Sequence, residues 1–219
     1  MISILGGRFT SRNETYSDNI SCVRNVSGGD YVKALRPKAA AEKRSALYRG
    51  HAEGRWDRIG RGIYLPADAP AIDWDQLEAA TRRPEATICL LSALARYDLT
   101  DAIPDALDVA IPRGMRTPMT ESAIRWHRFD AATFKLGRDE ILIPGSSQHI
   151  GLYSAERTIV DCFRLRSTVG YEVVRDATKE WLRRGGKPAE LMAFATQLPR
   201  AKAPLLQTLA VITRPAGGC

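Results

Sequence analysis

Three groups of residues have types and spacings that could carry chemistry. Arg55, Arg58 and Arg61 stand within seven positions, where their guanidiniums could lie along a phosphate backbone. In Ser154-Ala155-Glu156-Arg157-Thr158-Ile159-Val160-Asp161-Cys162-Phe163-Arg164, Arg157 and Asp161 are four residues apart and Arg164 lies one turn further. On a helix these three form an Arg-Asp-Arg ladder along one face, expected as a surface ion network that offers no poised nucleophile or base. The third group is Asp105, Asp108, Asp139 and Glu140, the carboxylates that a metal-dependent nuclease would have to gather. His127, set between Arg125 and Arg128, reads as a surface or hydrogen-bonded residue before it reads as an acid-base group. Gly145-Ser146-Ser147 matches the Gly-Ser element of a nucleotidyltransferase, but no Asp-x-Asp or Asp-x-Glu follows on the next strand, His149 to Tyr153. The chain carries no phosphate-loop, nucleophile-elbow or His-Glu-x-x-His pattern. Cys22, Cys89, Cys162 and Cys219 form no C-x-x-C pair and are remote in sequence from His51, His127 and His149. No catalytic residue, metal or cofactor is therefore expected.

Several elements must position these groups. Trp56 to Ile59 and Ile63 to Leu65 read as short strands joined by Gly60-Arg61-Gly62, a basic hairpin with Trp56, Ile59 and Ile63 packed inward. A helix from Lys38 to about His51, opened by Pro37, precedes it and carries Lys43, Arg44 and Arg49. A basic helix followed by a basic hairpin is how a winged helix-turn-helix reads. Residues 1–30, rich in Gly, Ser, Asn and Thr, read as irregular or degenerate, so 31–66 is expected to be a partial winged-helix domain. Pro66 to Ala71 marks the boundary, and 71–212 follows as an α+β domain. In that second domain Asp73 caps a helix through Arg82 and Pro84 opens another to Tyr97. Strands follow at 107–111, 124–129, 140–143 and 149–153, and their short spacers predict a small, mostly antiparallel sheet. Helices then run over 155–166, 171–184, 188–197 and 204–212.

The net charge of +7 is unevenly placed. Residues 1–62 hold twelve of the 32 Lys and Arg and six of the 25 Asp and Glu, leaving the remainder with a balance of only +1. Such asymmetry is what a nucleic-acid-binding segment joined to a near-neutral domain would show, and a charge run alone reads equally as a solvated basic face. The longest apolar run, about Ile88 to Leu94, is far short of the roughly 20 residues of a membrane helix. A cytoplasmic protein with no membrane association is expected.

Four stretches together resemble the AbiEi-type antitoxins of abortive-infection (type IV) toxin-antitoxin pairs. They are Arg55 to Tyr64, Ile88 to Leu94, Ala110-Ile111-Pro112-Arg113-Gly114, and Tyr153 to Asp161, in matching order and spacing over roughly residues 45 to 209. The resemblance implies an N-terminal winged helix that represses its own operon and a C-terminal α+β antitoxin domain. It also implies a nucleotidyltransferase-like toxin, encoded next door, as functional partner with or without direct contact. Members carry two further helices before the recognition helix, which residues 1–30 do not supply. On this reading Lys43, Arg44, Tyr48 and Arg49 face the major groove and Arg55, Arg58 and Arg61 hold phosphates or reach the minor groove. Arg113, Arg157, Asp161 and Arg164 form the antitoxin-domain motif. A dimer or paired monomers on an inverted-repeat operator is expected. The alternative reading is a nuclease-like enzyme whose basic segment delivers nucleic acid.

Overall fold

The computed structural model describes residues 44–60, 63–68 and 73–212. The expected irregular segment 1–30, the start of the basic helix with Lys43, the Arg61 turn and the C-terminal tail lie outside the described residues. The chain is α+β: it runs through α1 (Arg44–Ala52), β1 (Trp56–Gly60), β2 (Ile63–Pro66), α2 (Trp74–Arg82), β3 (Thr87–Ile88) and α3 (Leu90–Arg96). Strands β4 (Leu107–Pro112), β5 (Ile124–Phe129), β6 (Arg138–Leu142) and β7 (His149–Tyr153) follow. Helices α4 (Ala155–Arg164), α5 (Arg166–Val169), α6 (Tyr171–Arg183), α7 (Pro188–Gln197) and α8 (Lys202–Ile212) complete it.

The caps form where the residue types place them. Asp73 accepts from the Gln76 amide at the start of α2, and Ser154 from the Arg157 amide at the start of α4. Pro188 occupies the first turn of α7, where its missing N–H costs nothing.

The expected helix from Pro84 to Tyr97 is corrected. Pro84 and Glu85 form a turn, Thr87 and Ile88 are β3, and the helix begins only at Leu90. Thr87 and Ile88 are β-branched and fully enclosed, paired antiparallel to β4 on one side and parallel to β7 on the other. Leu90 turns the chain from strand to helix at φ +46°, a conformation uncommon for a bulky residue. The surrounding sheet and core hold it there, since Leu90 itself is buried.

The five strands lie in the order β5-β4-β3-β7-β6. The expectation of a mostly antiparallel sheet is also corrected, because β4 pairs parallel with β5 and β3 parallel with β7. The 113–123 connection explains the first of these. Its eleven residues can reach about 36 Å extended, ample to return along a strand of about 20 Å without a helix.

Apolar layers cover both faces of the sheet. On one, Val109, Ile150 and Leu152 meet Leu77 and Ala80 of α2 together with Ile63 and Leu65 of the hairpin. On the other, Ala110, Phe129 and Tyr153 meet Leu94, Ile159, Phe163, Trp181, Leu191 and Leu205 from five helices. The hairpin is thus built into the core of the sheet. Among the described residues no helix is long and apolar enough to cross a membrane.

Gly151 on β7 is required by close packing. A Cβ there would come within 2.5 Å of the Thr87 hydroxyl and 2.6 Å of Arg138 Nε. Gly151→Ala is expected to lower stability by about 1–3 kcal/mol as the overpacked side chains shift, measured by urea unfolding.

Candidate functional site

The first candidate surface is α1 and its hairpin. Strands β1 and β2 pair antiparallel, with Trp56 opposite Pro66 and Arg58 opposite Tyr64. Both faces of β2 are covered: Ile63 and Leu65 point into the sheet core, while Tyr64 points to α1. There Tyr48 and His51 meet the Tyr64 ring edge-on, at centroid distances of 6.1 and 6.2 Å. His51 Nδ1 lies 2.7 Å from the Trp56 carbonyl oxygen, and the Trp56 indole occupies the space that a side chain at Gly50 would need. The expected inward packing of Trp56 with Ile63 is therefore corrected. Trp56 packs on α1 and Ile63 on the opposite face, because a strand alternates its side chains.

Tyr48 and Arg49 are exposed on α1, and Arg55 and Arg58 are exposed on the hairpin. Neither hairpin arginine is a free cation. Arg55 pairs with Glu53, and Arg58 lies 3.6 Å from Glu121 in the 113–123 connection. The side chains of Lys43, Arg44 and Arg61 lie outside the described residues, as does that of Ile59.

Glu78, which sequence reasoning passed over, holds the Glu121 segment in place. Its fully buried carboxylate accepts from the backbone N–H of Glu121 at 3.1 Å and of Ser122 at 2.9 Å, and pairs with Arg82 at 2.8 Å. Burial pushes the carboxyl up. The Ser122 amide and the Arg82 guanidinium, with the Ser122 hydroxyl and the Glu121 amide, more than offset this and hold it below the ordinary carboxylate range.

The second candidate is the Arg-Asp-Arg ladder, and here the expected surface network is corrected. Arg157 and Asp161 are both fully buried. Arg157 Nε donates to Asp161 Oδ2 at 2.6 Å, and Nη1 donates to the carbonyls of Thr133 and Leu136, both at 2.8 Å. Its guanidinium carbon lies 4.6 Å from the centroid of the Tyr153 ring. The Nη2 atom has no hydrogen-bond partner among the described residues. Arg164 donates to Asp161 Oδ1 at 2.5 Å and to the Pro199 carbonyl at 3.1 Å. Burial pushes the Asp161 carboxyl up against the opposing pull of Arg157 and Arg164. Burial likewise raises the Tyr153 phenol, whose hydroxyl donates to the Phe134 carbonyl at 2.8 Å. These groups tie α4 to the loop before β6 and to the turn before α8, and Arg157 and Asp161 are closed to solvent. Arg113 is not brought to them: its side chain is exposed, and its amide donates to the Phe129 carbonyl at 2.6 Å.

The carboxylates of the nuclease alternative do not converge. Asp108 on β4 is buried, with His127 Nε2 at 2.8 Å and Arg125 at 3.5 Å, and Arg125 also pairs with Asp105. Asp139 and Glu140 are on β6, beyond β3 and β7. Three strand spacings put the two sets about 14 Å apart. The registers also turn Asp139 toward the face opposite Asp108. Among the described residues no group of three or more His, Cys, Asp or Glu is placed to hold a metal ion. Cys89 and Cys162 are buried free thiols that burial pushes well above their ordinary range.

No family model matches the sequence, and no curated protein does. Among solved structures, the chain is similar to the Rv2827c protein from Mycobacterium tuberculosis, with a TM-score of 0.50 and 14% identity. The alignment covers 84% of this chain and 73% of that one, and at this identity the likeness concerns the fold.

Asp161→Ala strands the Arg157 charge in the core and is expected to cost about 3–5 kcal/mol, measured by chemical denaturation. Glu78 has a lowered carboxyl value, so the stability it contributes is fully present above the ordinary carboxylate value of 4.5. That stability is lost as pH falls through the lower, folded-state value. A Glu78→Gln variant is expected to show a flatter loss of melting temperature below that pH than the parent.

Proposed function

We propose that this chain is a DNA-binding transcriptional autorepressor and antitoxin of the AbiEi type, acting in the cytoplasm on the operon it shares with a nucleotidyltransferase-like toxin. The observation that carries the reading is α1 seated on an antiparallel basic hairpin through Tyr48, His51 and Tyr64, with Tyr48 and Arg49 left open to solvent. In a winged helix-turn-helix, α1 takes the place of the recognition helix and the hairpin that of the wing. Tyr48 and Arg49, with Lys43 and Arg44 preceding them in sequence, then face base edges, and Arg55, Arg58 and Arg61 contact phosphates.

The charge distribution supports the same reading, since nearly all of the net positive charge lies at or before Gly62. Phosphates would displace Glu53 and Glu121 from Arg55 and Arg58, exchanging exposed ion pairs of low individual worth for contacts with a dense line of charge. The reading requires no cofactor, metal or catalytic residue, and a winged helix reads one half-site, so it takes two copies of the chain to an inverted repeat. In the α+β region the buried Arg157 and Asp161, with the half-buried Arg164 bonded to them, act as scaffold, which leaves the exposed Arg113 as the member of the expected motif best placed to meet a partner.

Fluorescence anisotropy on the DNA upstream of the gene, across a salt series, tests this. Arg55→Ala should weaken all sequences alike and reduce the salt slope by about one, whereas Arg49→Ala should cost roughly 1–3 kcal/mol and relax specificity. Operator binding untouched by both substitutions would overturn the assignment. Co-expression with the neighbouring gene product, scored for growth rescue with and without residues 1–66, checks the antitoxin function separately.

A further inference from the structure

A cleft of about 670 Å³ opens where the end of β4, the start of β6 and the loop between β5 and β6 meet. It lies outside the α1 and hairpin surface, and its volume is in the range of small-molecule sites. Pro84, Pro112, Ala132 and Phe134 give it an apolar wall, and Lys135, Arg138, Glu85 and Glu140 supply its charges.

The Arg138 guanidinium is held in place before any ligand arrives. Its Nε donates to the Thr87 hydroxyl at 2.8 Å and its Nη1 to Glu140 at 3.0 Å. Thr87 in turn donates to the Glu85 carbonyl at 2.9 Å, which orients its oxygen toward Arg138. The side chain reaches Thr87 by crossing β7 at Gly151, where any Cβ would block it. Its side chain is only 14% exposed, and its Nη2 makes no hydrogen bond to the described residues. Lys135, three residues before it, is exposed on the same cleft without an ion pair among the described residues, as is Glu85.

We propose that this cleft binds a zwitterion with an apolar side chain, an α-amino acid or a short peptide of apolar residues. The carboxylate sits between Arg138 Nη2 and Lys135, the ammonium meets Glu85, and the side chain lies on the proline and phenylalanine wall. Charge balance selects this class. Glu140 is already paired with Arg138 and the four ionisable side chains of the lining sum to zero, so a phosphate dianion would bring two negative charges to a lining with no net positive charge to meet them. A zwitterion gives each unpaired charge a partner, and charge-assisted hydrogen bonds in a partly enclosed cleft are the stronger kind.

Isothermal titration of the full chain with L-phenylalanine and with its dipeptide tests the proposal. The comparison ligands are 3-phenylpropionate, which lacks the ammonium, 2-phenylethylamine, which lacks the carboxylate, and inorganic phosphate. The zwitterion is expected to bind with a Kd of about 0.1–1 mM. Lys135→Ala and Glu85→Gln, both exposed positions that leave the fold intact by circular dichroism, should each weaken it about tenfold. Glu85→Gln should leave 3-phenylpropionate unaffected, and the tighter of amino acid and dipeptide identifies the source. No binding of either zwitterion, binding indifferent to both substitutions, or equal or tighter binding of the phosphate or the single-charge analogues overturns the proposal.

Discussion

A guanidinium with no exposed surface is the constraint around which much of the α+β region is arranged. Taking a charge that size out of water costs several kcal/mol even after relaxation, so Arg157 is stable only because the core is built to receive it. Asp161 lies one turn along α4, the Thr133 and Leu136 carbonyls turn inward from the loop before β6, and the Tyr153 ring lies against the cation. These partners come from α4 itself, from the β5–β6 loop and from β7. The guanidinium therefore fixes the geometry between α4, the β5–β6 loop and the last residue of β7 through its carbonyl hydrogen bonds and its ring contact, and Arg164 extends the same network to the Pro199 carbonyl.

That arrangement has consequences at the surface. The loop held by Arg157 supplies one wall of the cleft that Arg138 enters, and Phe134 in that loop is itself secured by the Tyr153 hydroxyl on its carbonyl. On the other face of the sheet a second buried charge plays a comparable part. Glu78 gathers the amides of Glu121 and Ser122, and so presents the Glu121 carboxylate to Arg58 of the hairpin. The basic hairpin is thereby joined to the α+β region twice, through the apolar contacts of Ile63 and Leu65 and through an ion pair. In the proposed reading, a phosphate contact at the hairpin and the packing of the sheet are mechanically connected.

Much of the local structure was legible from residue types. Asp73 and Ser154 cap the helices they precede, Pro188 opens α7, and the aromatic and β-branched runs on either side of Gly60-Arg61-Gly62 pair as a hairpin. Within the candidate sites less could be read. The four-residue spacing of Arg157 and Asp161 specifies a pair on a helix in solvent and in a core alike. A usable signal was nonetheless present: from Arg157 to Phe163 the only charges are that matched pair, set among Thr158, Ile159, Val160 and Cys162, and every residue of the run is buried. Pro84 misled in the opposite way. It suits a first helical turn, but Thr87 and Ile88, three and four residues on, are β-branched, and the gap between β4 and β7 is filled by a strand.

Residue types settled what is local and additive: most of the helices and the Asp73 and Ser154 caps, the strands apart from Thr87–Ile88, and the concentration of net positive charge in residues 1–62. Those properties depend on backbone conformation, short-range hydrogen bonds and composition, all of which act over a few residues. Tertiary structure alone decided that β4 and β5 run parallel, that the Arg157 pair is interior, that Asp108 and Asp139 lie on opposite faces, and that Gly151 makes room for Arg138. Each of these is set by neighbours distant in sequence, and burial, unlike helical periodicity, is a property of the assembled core.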